Sequence, residues 1–302
     1  MKRSPKTLFG RDFTSCEINI GGGVVHAVTG GRGPPLLFLH GYPQTSAMWH
    51  RVAPTLALNF SVICPDLRGY GDSFKPSSDP SHVNYSKRVM AHDAVELMSA
   101  LGYDRFQVAG HDRGARVTHR LILDYPRKII RAAVMDIAPT LHMYGTADKA
   151  FASAYYHWFF LIQPDGLPER LIGANPEFYL ETKIGKWGNS RDAFTENAMA
   201  EYHRCFKNPE TIRATCEDYR AAATIDLEHD ESDRARKIEC PLLVLWGDQG
   251  FVHHQYDVLA VWREYAEQVE GRALNCGHFL AEESPDEVIA EFQRFFLVDL
   301  PN

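Results

Sequence analysis

The stretch VAGHDRGAR, Val108–Arg116, joins an apolar run to the pattern Gly-x-Asp-x-Gly. This pattern is typical of a sharp turn between a strand and a helix, which lifts the central side chain above a sheet. The usual central residue is serine, whereas here it is Asp112, followed by Arg113 and, three residues later, Arg116. The stretch therefore predicts an α/β fold with a carboxylate at the end of a strand, close to two positive charges.

The composition is that of an ordinary packed globule, with 302 residues, 45% hydrophobic and 24% charged. The formal net charge of -7 disfavours nucleic acid as a partner but leaves room for a small anionic ligand at a local positive site. The six cysteines show neither CxxC pairs nor zinc-like spacing, so we expect reduced thiols, no metal and no cofactor. Because no signal peptide and no 18-residue apolar span is visible, we expect a cytoplasmic protein without membrane contact.

Short apolar runs alternate with helical patterns along most of the chain. The predicted strands are Val24–Val28, Leu36–Leu39, Ser61–Pro65, Phe106–Ala109, Ala132–Asp136, Leu242–Trp246 and Val269–Asn275. Helical patterns at Ser86–Leu101 and Ser284–Phe296 lie between or after them. This alternation predicts a mostly parallel, doubly wound sheet.

The alternation stops once, over about one hundred residues between Pro139 and Cys240 that are rich in aromatic and helical patterns. We interpret residues 141–237 as a helical cap inserted into a core formed by residues 1–140 and 238–302. Because ligands of open α/β sheets bind beyond the carboxyl ends of the strands, such a cap would close a pocket there.

Two further motifs follow predicted strands. His40-Gly41-Tyr42-Pro43 can supply the backbone N–H of Tyr42, which together with the N–H of Arg113 would stabilise an oxyanion. Cys276-Gly277-His278 places a histidine late in the chain, in the order nucleophile, acid, histidine. The catalytic residues predicted are thus Asp112 as nucleophile and His278 as general base.

Two aspartates compete as the acid that orients His278. Asp136 ends a predicted strand, and Asp248 lies in the segment Trp246–Gly250 after the next core strand. Many α/β enzymes of this type place the acid three residues after the glycine of that segment, but here that position is Gly250. We therefore predict Asp136 and keep Asp248 as the alternative.

The motifs together resemble the haloacetate dehalogenase branch of the α/β-hydrolases, the fluoroacetate dehalogenases. The resemblance covers essentially the whole chain and rests on these segments: HGYPQ (40–44), DLRGYGDS (66–73), GHDRGAR (110–116), MDIAPT (135–140), YHW (156–158), CEDYRA (216–221) and GHFLAEE (277–283). The most discriminating residue is Arg113, because related epoxide hydrolases and haloalkane dehalogenases resemble each other in having tryptophan after the nucleophilic aspartate.

The resemblance implies hydrolysis of a haloacetate, with fluoroacetate converted to glycolate and halide in a homodimer. It implies that Arg113 and Arg116 bind the substrate carboxylate. It further implies that the halide is bound by His157, Trp158 and Tyr219. Trp187 would then line the access channel.

Other interpretations of the same residues stay open at this stage. The two arginines could form salt bridges with surface acids, and the aromatic run Tyr155–Phe160 could simply pack the cap. An epoxide hydrolase also uses an aspartate nucleophile, although an uncharged epoxide does not need a carboxylate site. The remaining alternatives are a dehalogenase that prefers chloro- or bromoacetate, and a non-catalytic binding protein with the same fold.

Overall fold

The computed structural model describes residues 8–298 and contains one eight-stranded sheet. Its strands are β1 (Phe13–Ile20), β2 (Gly23–Gly30), β3 (Pro35–Leu39), β4 (Ser61–Pro65), β5 (Phe106–His111), β6 (Ile129–Met135), β7 (Leu242–Gly247) and β8 (Val269–Leu274). Their order across the sheet is β1-β2-β4-β3-β5-β6-β7-β8. Strands β3 to β8 run parallel, whereas β1 and β2 pair in antiparallel fashion. The predicted α/β fold with a mostly parallel sheet is confirmed.

All seven predicted strands are present, with ends shifted by a few residues, but β1 was missed. Its sequence, FTSCEINI, buries only the two end residues, Phe13 and Ile20. Because β1 lies at the edge of the sheet and pairs with β2 alone, it needs no continuous apolar run. In contrast, every residue of β5 and β7, which have a neighbouring strand on each side, is buried, as expected where helices cover both faces.

The helices fall into three groups along the chain. Before β6 lie α1 (Ala53–Leu56), α2 (Lys87–Ala100) and α3 (Arg113–Asp124). Between β6 and β7 lie α4 (Thr140–Gly145), α5 (Lys149–Ala154), α6 (His157–Phe160), α7 (Leu167–Ala174), α8 (Pro176–Trp187), α9 (Glu196–Phe206), α10 (Pro209–Ala222) and α11 (Ile225–Ser232). After β7 lie α12 (Phe251–Gln255), α13 (Val258–Tyr265), α14 (Leu280–Glu283) and α15 (Pro285–Phe296). Short 3-10 helices span Ser46–Arg51, Val83–Tyr85 and Arg191–Ala193.

The helix ends follow from local sequence. The Ser86 hydroxyl accepts a hydrogen bond from the backbone N–H of Val89 and so caps α2. Proline occupies the first position of α8, α10 and α15, where its missing N–H has no helical partner to lose. No helix within residues 8–298 has the length and apolar character needed to cross a membrane.

We call residues 141–237, the predicted cap, the lid. Between β6 and β7 the described chain forms no strand, only an isolated bridge between Ile238 and Ala266. Side chains tie the lid to the core: Arg204 binds Asp72 at 2.8 Å, and Tyr202 donates to Glu282 Oε1 at 2.8 Å. The lid therefore lies against loops that follow the carboxyl ends of the strands.

Candidate active site

The turn between β5 and α3 places Asp112 at the carboxyl edge of the sheet. Its backbone angles, φ 45° and ψ −110°, are unfavourable for a residue with a side chain. The flanking glycines are required by close approach, since a Cβ on Gly110 would lie 2.4 Å from the carbonyl oxygen of Gly114. A Cβ on Gly114 would lie 2.3 Å from the carbonyl oxygen of Leu39. The turn therefore has the strained geometry that the Gly-x-Asp-x-Gly pattern predicts.

Asp112 is buried, and its Oδ2 accepts a hydrogen bond from the backbone N–H of Tyr42 at 3.0 Å. Burial by itself would raise the pKa of Asp112, but the positive charges of His278, Arg113 and Arg116 outweigh it. The pKa of this carboxyl group consequently lies below its ordinary value. Asp112 is thus ionised at neutral pH, which is the form a nucleophile requires.

His278 contacts the predicted acid. Its Nδ1 donates to Asp136 Oδ2 at 2.5 Å, and Asp136 Oδ1 accepts from the backbone N–H of Gly247 at 3.0 Å. Asp248 instead uses its backbone N–H to bond the carbonyl of Leu274, and its Oδ1 has no hydrogen-bond partner. The structure therefore brings Asp136, and not Asp248, to the histidine.

The environment of His278 favours its protonated form. Burial would lower the pKa of His278, but the hydrogen bond that it donates to Asp136 and the charges of Asp136 and Asp112 together raise it. The backbone of the same residue is held on both sides, because its N–H donates to the carbonyl of Trp187 at 3.0 Å and its carbonyl accepts from His111 Nε2 at 2.7 Å. With Nδ1 bound to Asp136, the ring nitrogen Nε2 faces away from the acid.

The two arginines have different surroundings. Arg113 is fully buried, and its Nε and Nη2 donate to the two carboxylate oxygens of Asp218 at 3.0 and 2.8 Å. Asp218 also accepts from the hydroxyl of Tyr70 at 2.6 Å and from the ammonium of Lys87. The salt-bridge interpretation thus holds for Arg113, although its acid is buried in the lid rather than exposed. Only Nη1 of Arg113 lacks a partner.

Arg116 is buried, and none of the described carboxylates binds its guanidinium. Its Nη1 donates to the carbonyl of Ala138 at 3.1 Å and to the hydroxyl of Thr140 at 3.0 Å, and its Nε has no partner. Burial and the charge of Arg113 lower the pKa of Arg116, but a guanidinium stays protonated in proteins. A buried, incompletely bonded cation is costly, so this position favours an anionic ligand.

Three neutral donors from the lid lie beside the arginines. The rings of His157 and Tyr219 are 5.4 Å apart, and those of Trp158 and Tyr219 are 6.4 Å apart. All three side chains are buried, and neither His157 Nδ1 nor the Tyr219 hydroxyl has a hydrogen-bond partner. Burial and nearby positive charges hold the pKa of His157 well below its usual range, so its ring is neutral.

These donors also pack on the positive charges. The guanidinium carbon of Arg113 lies 4.2 Å from the Tyr219 ring centroid, and that of Arg116 lies 4.6 Å from the Trp158 centroid. Cation–π contacts of this kind orient the rings without using the N–H groups of the arginines. Trp187, predicted for the access channel, packs with ring centroids 4.5 Å from His157 and 5.6 Å from His278.

Sequence reasoning missed several supporting residues. Asp218 lies in the quoted segment CEDYRA, directly before Tyr219, yet nothing local shows that it binds an arginine 105 positions earlier. His111 could have been noticed as the neighbour of Asp112. Burial, and to a smaller extent the charge of His278, lower the pKa of His111 to about 3, so its ring is a neutral donor. Tyr70 lies in the quoted segment DLRGYGDS and Lys87 lies in no quoted segment, and neither was assigned to the site. Within the described range, no group of three His, Cys, Asp or Glu side chains could hold a metal ion.

Comparisons with known proteins show which family the chain resembles. The family model described as alpha/beta hydrolase fold matches residues 34–285. A fluoroacetate dehalogenase from Burkholderia sp is 44% identical, covering 93% of this chain and 93% of that protein. A soluble epoxide hydrolase from Corynebacterium sp. (strain C12) is 36% identical, covering 94% and 98%. The crystal structure of ALR0039 from Nostoc sp PCC 7120 is 59% identical with a TM-score of 0.94, covering 96% of this chain and 99% of that one.

The chain belongs to the α/β-hydrolase family. Within this family it is similar to a fluoroacetate dehalogenase over nearly its whole length, which confirms the resemblance inferred from the motifs. It is also similar to epoxide hydrolases, so the comparisons define a hydrolase without choosing its substrate.

Proposed function

We propose that this protein hydrolyses haloacetates, converting fluoroacetate to glycolate and halide through an ester on Asp112. The observation that carries the proposal is the buried guanidinium of Arg116, which no described carboxylate binds and whose Nε is unpartnered. A substrate that carries its own carboxylate would complete this site, assisted by the remaining Nη1 of Arg113. An uncharged substrate would leave both nitrogen atoms unsatisfied.

In the first step, Asp112 attacks the carbon that bears the halogen. Its Oδ2 is held by the backbone N–H of Tyr42, so Oδ1 is the attacking oxygen. The new carbon–oxygen bond forms as the carbon–halogen bond breaks, and the electron pair of that bond leaves with the halide. His157, Trp158 and Tyr219 supply N–H and O–H donors that replace the lost hydration of the halide.

In the second step, water hydrolyses the ester. Nε2 of His278 takes a proton from water as the oxygen attacks the carboxyl carbon of Asp112. The N–H groups of Tyr42 and Arg113 hold the resulting oxyanion, while Asp136 stabilises the protonated histidine. Collapse releases glycolate, whose alkoxide recovers the proton from His278, and the regenerated Asp112 carboxyl loses its own proton.

Epoxide hydrolysis is the second candidate, supported by the 36% identical relative. The unpartnered donors of His157 and Tyr219 would suit an alkoxide as well as a halide. Arg116 argues against this candidate, because a simple epoxide offers no anion to a buried guanidinium. Trp187, whose ring packs against those of His157 and His278, is the residue that we propose for the access channel.

A substrate panel tests the proposal. Purified protein is incubated with fluoroacetate, chloroacetate and styrene oxide, and fluoride, chloride and diol are measured, with Asp112→Asn as the inactive control. We expect halide from the haloacetates and no diol. Single turnover in heavy-oxygen water should label Asp112 before it labels glycolate. Diol without halide, or label that enters product directly, would contradict the proposal.

A further inference from the structure

The lid contains a buried cation that the proposed reaction does not use. Lys183 lies in α8, is only 1% exposed, and its ammonium nitrogen has no hydrogen-bond partner. Lysine side chains normally extend to water or bind an acid when they are buried. Among the described residues no carboxylate forms an ion pair with this one. Its burial therefore needs another explanation.

Aromatic rings form the walls around this ammonium. The nitrogen lies 3.7 Å from the ring centroid of Tyr156, 5.0 Å from that of Trp187 and 5.3 Å from that of Tyr179. Ring faces attract a cation but accept none of its N–H groups in conventional hydrogen bonds. The N–H donors of Lys183 thus have no conventional acceptor among the described residues.

The position of Lys183 connects the lid surface with the active site. Tyr156 is 37% exposed and covers the ammonium from outside. Trp187, one helical turn further along α8, packs on His157 and His278. The charge of Lys183 also contributes, after burial, to the low pKa of His157. The ammonium consequently lies between a surface tyrosine and the donors beside Asp112.

We propose that Lys183 forms a separate anion site in the lid, which holds a small monovalent anion between solvent and Asp112. Charge balance supports this assignment. Asp218 already neutralises Arg113, and the nearby Asp112 carboxylate partly offsets Arg116. A haloacid that enters the site, and the halide that leaves it, would each bring a negative charge that Arg113 and Arg116 do not fully balance. The identity of the anion as haloacid or product halide rests on the proposed function, but the anion site itself does not.

Anion binding at Lys183 should be accompanied by proton uptake. Burial, and to a smaller extent the charge of Lys186, lower the pKa of Lys183 to about 7. Of the other groups that face this region, His157 is neutral, the pKa values of Tyr156 and Tyr179 are raised, and His278 lies beyond Trp187. A bound anion favours the charged ammonium, so a proton should enter with it near neutral pH.

The test is calorimetric titration with sodium bromide and, separately, sodium acetate at constant ionic strength, in two buffers of different ionisation enthalpy. We expect wild-type protein to bind with proton uptake, and Lys183→Met to lose at least about tenfold in affinity together with that proton uptake. Lys186→Met, which removes an exposed lysine from the same helix, should keep the affinity, with less proton uptake because the loss of its charge raises the pKa of Lys183. Near-ultraviolet circular dichroism checks folding, and Lys183→Gln replaces Lys183→Met if the latter does not fold.

Bromide stands for the product halide and acetate for the carboxylate of the haloacid, so the two titrations show which of them the site binds. A loss for bromide alone assigns the site to the halide, and a loss that includes acetate assigns it to the carboxylate. Wild-type affinity for both anions in a folded Lys183→Met or Lys183→Gln protein would overturn the proposal. If the enzyme releases no halide from any haloacid but bromide binding still depends on Lys183, the anion site stands and the proposed function fails.

Discussion

The carboxyl edge of the sheet and the lid differ in whether the polar groups around the site have hydrogen-bond partners. At the sheet edge, the groups that would react have named partners: Tyr42 N–H holds Asp112, and Asp136 holds His278. In the lid, donors are buried without partners, among them His157 Nδ1, the Tyr219 hydroxyl and the ammonium of Lys183. Arg116, between the two regions, shares this property at Nε.

This difference separates two tasks. Groups that are held by backbone and by each other are preorganised for chemistry, because no reorganisation is needed as charge develops. Burying a donor without a partner is costly, and a ligand that accepts its hydrogen bond removes that cost. We therefore infer that the groups at the sheet edge perform the chemistry and that the donors of the lid select the substrate.

The largest expected effect tests the preorganised groups at the sheet edge. Asp136→Asn should lower turnover by about 10⁴-fold, because the amide cannot stabilise protonated His278 and favours the wrong tautomer. Asp248→Asn is the matched control and should stay within a few-fold of wild type, since Asp248 does not contact the histidine. Steady-state halide release measures both. Equal losses in the two variants would remove the distinction between the aspartates.

The next effect compares the two arginines. Arg116→Met should reduce kcat/KM for chloroacetate at least about 100-fold, because the substrate carboxylate loses its main partner. The same change should leave stability equal or higher, since it removes a buried cation that no described carboxylate binds. Arg113→Met should also abolish turnover, but it should destabilise the protein by about 3–5 kcal/mol, because Asp218 then remains buried with fewer partners.

Chemical denaturation combined with kinetics distinguishes the two arginine variants. Arg113→Lys separates charge from hydrogen bonding at this position, because it retains a positive charge beside Asp218 but loses the bidentate hydrogen bonds. Unchanged chloroacetate turnover in Arg116→Met would contradict the carboxylate site. A strong loss of stability in that variant would show that Arg116 is structural, like Arg113.

A smaller effect tests the halide donors of the lid. Tyr219→Phe removes one hydroxyl without changing the ring that covers Arg113, and should slow fluoride release by about 10- to 100-fold. The loss should be smaller with chloroacetate, because chloride is larger and less strongly hydrated. Burst-phase halide release from both substrates makes the comparison within one variant. An equal loss with both would mean that the hydroxyl does not contact the leaving group.

The same division explains what the sequence could predict. Asp112, Tyr42 and His278 follow strands at fixed spacings, so local motifs place them at one edge of the sheet. The choice of Asp136 also followed from position along the chain. Asp218 and Lys183 could not be assigned in this way, because their importance depends on contacts that helices of the lid make across long sequence separations. Edge strand β1 was missed for a related reason, since its pairing with β2 requires little apolar sequence.

The smallest effect concerns the pH at which His278 changes its protonation state. A general base must be neutral to accept a proton, so turnover should fall as pH decreases through the pKa that His278 has in the ester. In the free enzyme the pKa of His278 is raised above its ordinary value. Formation of the ester removes the negative charge of Asp112, which is one of the contributions that raise this pKa. The histidine should therefore become a proton acceptor at lower pH once the ester has formed.

Asp112→Asn imitates this loss of charge, so nuclear magnetic resonance titration of His278 can measure it directly. The pKa should decrease from wild type to Asp112→Asn and further to Asp136→Asn, because Asp136 contributes both a hydrogen bond and a closer charge. An unchanged pKa in Asp112→Asn would mean that nucleophile and base are not electrostatically coupled, and that the ester does not prepare the base for the second step.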